Sequence, residues 1–428
     1  MKVAFIATSL LAACASAAPA LRIRSTNSAF NFARTKVRGV NLGGWLVLEP
    51  WITPSHWRQW EGNPNAGPKD EYNLCRVLGQ AECGRRLTQH YETWITEGDF
   101  QVMRNVGLNT VRIPIGYWAV SPLPGDPYFY GQIKYLDRAI GWARKYGLAV
   151  WIDLHGAPGS QNGFDNSGLR DQIRWQTTPG YVTHTIKVLQ LIAKKYSQPQ
   201  WAGTVAVIEL LNEPLGPRLD VAGIRQFHWD GLGSVRAVGD NWVAMSDAFL
   251  HPSYWNPDFN GDSRHMVNGR YANVILDHHH YQVFSPGENS RSFNEHIRVA
   301  CQSHTEVSGA NKYVVVGEWS GALTDCARWL NGFGRGARYA GQYDGSPYYG
   351  SCSRKGKISS MSWDEKQAVR KYIEAQIITY ERHTNGWIYW TWKTEPYNNS
   401  DDWCMSAQLG RGIFPSPVTA FRYPTICG

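Results

Sequence analysis

The 428-residue sequence is poor in charge and lacks the motifs of several common functional classes. Asp, Glu, Lys and Arg make up only 18% of the chain, and no dense basic patch belongs to a known nucleic-acid-binding module. None of the eight cysteines forms a C-x-x-C pair, which argues against a zinc site. No G-x-G-x-x-G follows a predicted strand, as it would in a dinucleotide-binding fold. The sequence therefore predicts no metal, no cofactor and no nucleic-acid partner.

Apolar runs long enough to enter a membrane are missing as well. The run from Val3 to Ala13 follows a charged start and is too short to span a bilayer. Ala15-Ser16-Ala17 then supplies a small-residue cleavage site, so residues 1–17 are predicted to be a signal peptide. The C-terminus has no apolar tail for a lipid anchor. We expect a monomeric protein without membrane contact, secreted to the extracellular space or the cell wall.

Residues 18–36 are polar and basic with little periodicity, and they are predicted to be a pro-segment or a flexible arm. Residues 1–36 contain five basic and no acidic residues, so the formal net charge falls from +8 to +3 in a chain that begins at Val37. The basic character is therefore largely confined to the N-terminus. One folded domain is predicted over residues 37–428, because neither a linker nor an internal repeat is visible.

Aromatic residues and cysteines are what the sequence has in quantity. Its 20 Trp and 22 Tyr favour a protein that stacks on ring-shaped ligands, although a large core uses aromatics too. Seven cysteines remain once Cys14 leaves with the signal peptide, and disulfides are expected in an oxidising compartment. The odd number leaves one cysteine free or paired between chains. Spacing does not fix the connectivity.

Two apolar stretches each end in a carboxylate. Val205 to Leu211 reads as a strand buried on both faces, and Asn212-Glu213-Pro214 follows at its C-terminal tip. The stretch Tyr313 to Trp319 repeats the pattern and places Glu318 at its end. A single such Glu could equally cap a helix or pair with an Arg. Two of them predict a carboxylate pair.

Strand-like and helix-like stretches alternate along the whole chain. Strands are predicted over residues 37–45, 109–114, 148–154, 205–211, 242–248, 273–277, 311–319 and 386–392, and helices over 89–106, 133–146, 180–196 and 363–384. This alternation favours a single (β/α)8 TIM barrel over an open doubly wound sheet. Four long aromatic and glycine-rich loops (50–68, 156–172, 252–268 and 332–356) follow strands, so they belong on the catalytic face.

Polar residues at the predicted strand ends would meet in one pocket of such a barrel. They are Arg112, His155, Asn212, Glu213, His279, Tyr281, Glu318 and Trp392. Two carboxyls with an Arg, neutral hydrogen-bonding groups and a Trp floor suit cleavage of a glycosidic bond, in which one acid stays protonated and the other ionised. Arg112 and a Tyr hydroxyl beside the second carboxylate are expected to hold its pKa down.

Alternatives stay open for some of these residues. Arg112 could be a structural ion-pair partner. A metal site at His278-His279-His280 is disfavoured, because neighbouring side chains on a strand point to opposite faces. Trp390 and Trp392 alternate with Thr391 and are expected on one face, so either could stack on a sugar.

Six sequence blocks in this order resemble the fungal exo-β-1,3-glucanases (glucan 1,3-beta-glucosidases) of glycoside hydrolase family five. The similarity runs from about Val37 to Cys427, and its blocks begin at Arg38, Val111, Asp153, Asn212, His278 and Gly317. The resemblance implies that Glu213 is the acid/base and Glu318 the nucleophile. It also implies substrate-binding roles for Glu49, Arg112, His155, Phe164, Asp171, Asn212, His279, Tyr281, Phe284, Asn331 and Trp392, with Phe164 and Phe284 forming a clamp at the pocket mouth.

The resemblance further implies the disulfides Cys301–Cys427 and Cys326–Cys352. Cys75 and Cys83 could close a small local loop, which leaves Cys404 as the odd thiol. Asn398-Asn399-Ser400 is the only N-glycosylation sequon of the sequence and predicts a glycan at Asn398 near the pocket rim.

The expected function is a secreted, retaining exo-glucanase that releases glucose from the non-reducing end of β-1,3-glucan or laminari-oligosaccharides. The same pocket could also transfer glucose to another sugar. An endo-acting β-glucanase of the same fold would need an open groove in place of a closed pocket. A catalytically inactive glucan-binding wall protein would have no reason to keep both Glu213 and Glu318.

Overall fold

Parallel strands close into a barrel in the computed structural model of the protein. They are β1 (Val37–Asn41), β2 (Thr110–Gly116), β3 (Ala149–Gly156), β4 (Val205–Glu209), β5 (Trp242–Ser246), β6 (Val274–His279), β7 (Tyr313–Glu318) and β8 (Gly386–Tyr389). Each strand pairs with the next one along the chain, and β8 pairs with β1 to close the ring. The predicted (β/α)8 TIM barrel is thereby confirmed.

Helices surround this barrel. They are α1 (Glu71–Thr93), α2 (Glu97–Asn105), α3 (Ile133–Tyr146), α4 (Tyr181–Tyr196), α5 (Val221–Arg236), α6 (Pro286–Asn289), α7 (Phe293–Gln302), α8 (Trp363–His383) and α9 (Met405–Gly410). The structure describes residues 30–258, 266–267, 270–271, 273–396 and 398–428, so the predicted signal peptide and part of the loop 252–268 lie outside the described residues. Among the helices described, none is long and apolar enough to cross a membrane.

The helix predicted over residues 89–106 is wrong, because two helices occupy this region. α1 starts at Glu71, where the Asp70 side chain accepts a hydrogen bond from the Asn73 amide. It ends at Thr93, and Thr96 then opens α2 with a capping box that includes Asp99. The Thr-x-x-Asp pattern marks the start of a second helix, but the continuous apolar spacing of the region made it look like one helix. In contrast, α3 has the predicted bounds and ends at Gly147, which has a φ of 67°.

Helices α5 and α7 were not predicted. α5 contains three glycines, at positions 223, 231 and 233, which are poor helix formers and obscure the periodicity. Burial stabilises it nevertheless: its Ile224, Phe227 and Leu232 lie in the main core between barrel and helices. Tertiary packing therefore outweighs local propensity here.

The N-terminal end of the barrel is closed by two phenylalanines. Phe30 and Phe32 are buried with inward-facing strand residues such as Val207, and the Phe32 ring lies 4.8 Å from that of Trp242. Residues 30–36 are thus part of the folded barrel, so the prediction that the flexible arm extends to residue 36 is wrong. Two apolar side chains within a basic stretch were too weak a signal to reveal this.

Disulfides join Cys75 to Cys83, Cys301 to Cys427 and Cys326 to Cys352. The first lies within α1, and the second ties the C-terminus to α7. Cys404 is a buried free thiol beside the Trp392 carbonyl.

Candidate active site

A buried charged layer lies above the apolar floor of the barrel, with Arg112 of β2 at its centre. Its guanidinium donates to Glu209 Oε2 (2.8 Å), Asn41 Oδ1 (3.0 Å) and Asn212 Oδ1 (2.8 Å). It also donates to Glu318 Oε1 at 3.0 Å. The interpretation as a purely structural ion-pair partner is therefore incomplete, since Arg112 both belongs to this layer and contacts a predicted catalytic acid.

Glu318 lies at the C-terminal end of β7, where the pairing of β6 with β7 shifts register: His278 pairs with Val316 and His279 with Glu318. Such irregularities redirect side chains and are common next to active sites. Here the Glu318 carboxylate receives one hydrogen bond from Arg112 and another from Tyr281 Oη at 2.8 Å. Two donors thus fix both of its oxygens.

Glu213 lies opposite, four residues beyond the end of β4. Its backbone has a φ of 45°, a left-handed conformation that costs about 1–3 kcal/mol in a non-glycine residue and occurs at functional sites. Glu213 Oε1 lies 2.7 Å from His279 Nδ1. One carboxylate oxygen of Glu213, one of Glu318 and a nitrogen of His279 all lie within 4.8 Å of one another. The two predicted acids therefore face each other.

His155 and Asn212 extend the hydrogen-bond network around Arg112. His155 Nδ1 lies 2.6 Å from Asp153 Oδ2, and the Asn212 amide nitrogen lies 3.5 Å from His155 Nε2. Because Asn212 Oδ1 accepts from Arg112, its amide nitrogen must point the other way, toward His155. The chain of contacts runs unbroken from Arg112 to His155.

The pKa values of the two acids depend on His279. Burial favours the neutral form of Glu213, but the hydrogen bond and charge of His279 outweigh it and leave its pKa below the ordinary value. Burial also raises the pKa of Glu318, which the charge of His279 opposes and the charge of Glu213 reinforces. Arg112 lowers the pKa of Glu318 as expected, but desolvation exceeds its effect, so the expectation of a net lowered pKa is wrong. Arg112 and Tyr281 fix its orientation instead.

Trp390 and Trp392 make different contacts. The Trp390 ring lies nearly parallel to His155, with centroids 5.5 Å apart, and covers Gly43 so closely that a Cβ there would meet the indole at 2.8 Å. Trp392 instead donates from Nε1 to Asp99 of α2 at 2.8 Å. The prediction of a shared face is wrong because β8 ends at Tyr389, so strand alternation no longer applies.

The predicted clamp residues Phe164 and Phe284 are exposed aromatic side chains on two loops. Phe164 is 40% and Phe284 42% exposed, unusually high for phenylalanine. Phe284 packs edge-on against Tyr281 at 5.4 Å, next to the Glu318 contact. Phe164 packs edge-on against Phe249, itself exposed, which the sequence analysis did not identify.

The remaining predicted binding residues differ in their surroundings. Glu49 is buried and accepts from Trp51 Nε1 at 2.8 Å; burial, followed by the charge of Asp165, raises its pKa well above the ordinary value. Asp171 is half-exposed and pairs with Arg335 at 2.7 Å. Asn331 bonds Asp325 (2.9 Å) and Arg338 (2.6 Å) and so braces its own loop.

The predicted glycan at Asn398 conflicts with the structure. The side chain is 4% exposed, and its amide nitrogen donates to the backbone carbonyl of Trp51 and, at 3.4 Å, to that of Arg328. A glycan would replace one of these donors and would have to leave from a buried atom. The sequon prediction is therefore wrong for the folded protein.

Several polar residues of the charged layer were missed by sequence reasoning. They are Asn41, Asp153, Glu209 and Asp277. A signal was present for two of them: Asp153 and Asp277 each lie two positions before a predicted site histidine, so strand alternation places them on the same inward face. Glu209 was hidden within the apolar run of β4.

The described site offers only three grouped side chains that could bind a metal ion. Glu213, His279 and Glu318 each offer one ligand atom within 4.8 Å of the others. The neighbouring histidines turn elsewhere, with His278 Nδ1 2.6 Å from Asp247 and His280 Nδ1 2.6 Å from the Tyr380 hydroxyl. The three consecutive histidines thus do not converge on one point.

Two facing carboxyls, an arginine and a stacked tryptophan at the C-terminal end of a (β/α)8 barrel match a known enzyme architecture. Residues 81–396 match the model of the cellulase family, glycosyl hydrolase family 5. The chain belongs to glycosyl hydrolase family 5. As a member of this family, the protein is a glycoside hydrolase.

Several glucan 1,3-beta-glucosidases resemble the chain over nearly its full length. A glucan 1,3-beta-glucosidase of Schwanniomyces occidentalis is 48% identical over 403 residues, which cover 93% of this chain and 92% of the relative. One from Blumeria graminis is 48% identical over 421 residues, covering 97% and 95%. One from Candida oleophila is 44% identical over 430 residues and covers both chains completely.

Among solved structures, a rutinosidase from Aspergillus niger superposes with a TM-score of 0.71 and covers 91% of this chain and all of its own. The two sequences are 21% identical. This similarity shows that the two proteins share the barrel fold.

Proposed function

We propose that the protein is a secreted, retaining exo-β-1,3-glucanase that releases glucose from the non-reducing end of β-1,3-glucan. The observation that carries the proposal is the facing pair Glu213 and Glu318, with oxygens within 4.8 Å. Retaining glycosidases hold their carboxyls about 5–5.5 Å apart, whereas inverting ones need about 6.5–9.5 Å to admit a water. The names of the three relatives support β-1,3-glucan as the substrate.

The mechanism follows from the contacts. Glu318, oriented by Arg112 and Tyr281, attacks the anomeric carbon, and Glu213 as general acid protonates the leaving oxygen. A covalent glucosyl-enzyme forms, and Glu213, now acting as general base, removes a proton from the water that hydrolyses it. Asn212, held by Arg112 and adjacent to Glu213 in the sequence, can bond a sugar hydroxyl. A sugar acceptor in place of water gives transglucosylation.

Digestion of laminarin tests this proposal directly. We expect glucose from the earliest times, with the first-formed sugar in the β configuration by proton NMR, because double displacement inverts the anomeric carbon twice. A first-formed α anomer contradicts the retaining mechanism. A rapid fall in polymer viscosity before glucose appears identifies endo attack. Absence of any product supports the inactive glucan-binding protein.

Phe164 and Phe284 test the exo mode. If their exposed rings grip the second sugar, each stack contributes about 0.5–1.5 kcal/mol, and replacement by Ala should lower laminarin kcat/KM by about 2- to 10-fold. An aryl β-glucoside has little to place there and should be turned over almost unchanged. Phe293→Ala is the matched control, since this ring is 38% exposed but lies on the first residue of α7. Equal losses on both substrates would refute the clamp.

A further inference from the structure

His279 is held from both sides by carboxylates. Its Nδ1 lies 2.7 Å from Glu213 Oε1, and its Nε2 lies 3.3 Å from Asp277 Oδ2. Asp277 is fully buried, on the inward face of β6 two positions before His279. It packs against the backbone of Gly317, where a Cβ would come within 1.8 Å of Asp277 Oδ1. The carboxylate therefore has a fixed place beneath the imidazole.

This arrangement decides which nitrogen of His279 carries hydrogen. An ionised carboxylate only accepts hydrogen bonds, so the contact with Asp277 requires Nε2–H. A neutral imidazole carries one N–H, which leaves Nδ1 with a lone pair facing Glu213. The 2.7 Å contact then requires a proton on Glu213, or else a protonated imidazole donates to both carboxylates. In either state one proton lies between Nδ1 and Oε1.

We propose that Asp277 is a positioning residue that fixes the tautomer of His279 and so keeps a transferable proton on the Glu213–His279 pair. This inference rests on the proposed role of Glu213 as acid/base. As the glycosidic C–O bond breaks, its electron pair stays on the leaving oxygen, which takes the proton from the pair. The pair recovers a proton from the water that attacks the glucosyl-enzyme, so the cycle balances.

Simple neutralisation of Arg112 does not account for Asp277. Arg112 lies 3.6 Å from Asp277 but closer to Glu209 (2.8 Å) and Asp153 (3.1 Å). Arg112 is thus already paired with nearer acids, whereas Asp277 is the acid beside His279 Nε2. Asp153 occupies the equivalent place for the other histidine, His155, and offers a matched comparison.

Charged and titratable groups surround His279 on every side. Three carboxylates contact His279 directly: Glu213 after β4, Asp277 on β6, and Glu318 on β7 at 3.5 Å from Nδ1. The other titratable and charged groups around them are Arg112, Asp153, Glu209, His155, Tyr281 and Glu49. Burial works to lower the pKa of His279, but the charges of Glu318 and Asp277 outweigh it and raise the pKa well above the ordinary value. Removing the negative charge of Asp277 should therefore lower the pKa of His279, so that the Glu213–His279 pair loses its proton more readily.

The first experiment compares Asp277→Asn with Asp153→Asn. The pH dependence of kcat/KM is measured with a phenyl β-glucoside, whose poor leaving group needs protonation. We expect the alkaline limb of Asp277→Asn to move down by about 1–3 pH units, because a negative charge at contact distance is lost. Asp153→Asn removes an equally buried carboxylate but should shift the limb less. An unshifted limb in folded Asp277→Asn, or equal shifts in both variants, overturns the proposal.

A second measurement needs no variant of Asp277. In protein labelled with ¹⁵N-histidine, the His279 signals are identified by their loss in His279→Gln. We expect Nε2 to remain protonated across the active pH range while Nδ1 changes with pH. A neutral Nδ1–H tautomer would refute the proposal. Because the NMR signal does not depend on turnover, it separates this inference from a failure of Glu213 as the acid.

Discussion

Replacing Glu318 by Ala is expected to lower hydrolysis of natural and activated β-glucosides by at least about 10⁴-fold, as loss of a nucleophile typically does. No other described carboxylate is placed to attack in its stead, since Arg112 and Tyr281 orient this one. The loss is measured as kcat/KM on laminarin and on a dinitrophenyl β-glucoside.

Azide distinguishes a lost nucleophile from a damaged fold. In Glu318→Ala, azide can enter the vacated space and should yield α-glucosyl azide, because a single displacement inverts the anomeric carbon. Glu318→Gln is the matched control: it keeps the side-chain volume and should be as inactive but poorly rescued. A β-configured azide product from Glu318→Ala would contradict the assignment.

Glu213→Ala should respond in the opposite way to the leaving group. Loss of a general acid costs about 10²–10⁴-fold on substrates whose leaving oxygen needs a proton. A dinitrophenyl glucoside needs little protonation, so glucosyl-enzyme formation should be nearly spared and its hydrolysis should become slow. The measurement is a burst of dinitrophenol in rapid-mixing kinetics.

The outcome with azide completes this test. In Glu213→Ala, azide should attack the glucosyl-enzyme and give β-glucosyl azide, since two displacements have then occurred. Glu213→Gln, which keeps the side-chain volume and leaves no space for azide, should show the same dependence on the leaving group. If Glu213→Ala and Glu318→Ala behave alike toward leaving group and azide, the roles assigned to the two acids fail.

The sequence was informative wherever the pattern is local. Strand-forming runs between amphipathic helices predicted the barrel, and α3 was predicted with its observed bounds because Gly147 ends it. Where a Gly-rich helix such as α5 depends on burial, local propensity was misleading. The break between α1 and α2 depends on the Thr96 cap, a polar detail that apolar spacing does not reveal.

The candidate site was predicted in the same uneven way. Glu213 and Glu318 were identified because each follows an apolar strand, and parallel strands of a barrel end on one face. The different contacts of Trp390 and Trp392 were not predicted, since they depend on where β8 stops. The sequon at Asn398 gave no hint that its amide is buried against the Trp51 carbonyl.

By itself, the sequence determined the barrel, its family resemblance and the two facing acids, because apolar periodicity and strand-end position are written within short stretches of chain. Only the tertiary structure decided which polar atoms meet. Arg112 joins Glu209 and Glu318 across 97 and 206 positions of sequence, and His279 joins Glu213 across 66. Such contacts form when barrel closure brings distant strands together. Burial at the end of the barrel, rather than the types of neighbouring residues, then determines that the pKa of Glu318 shifts upward.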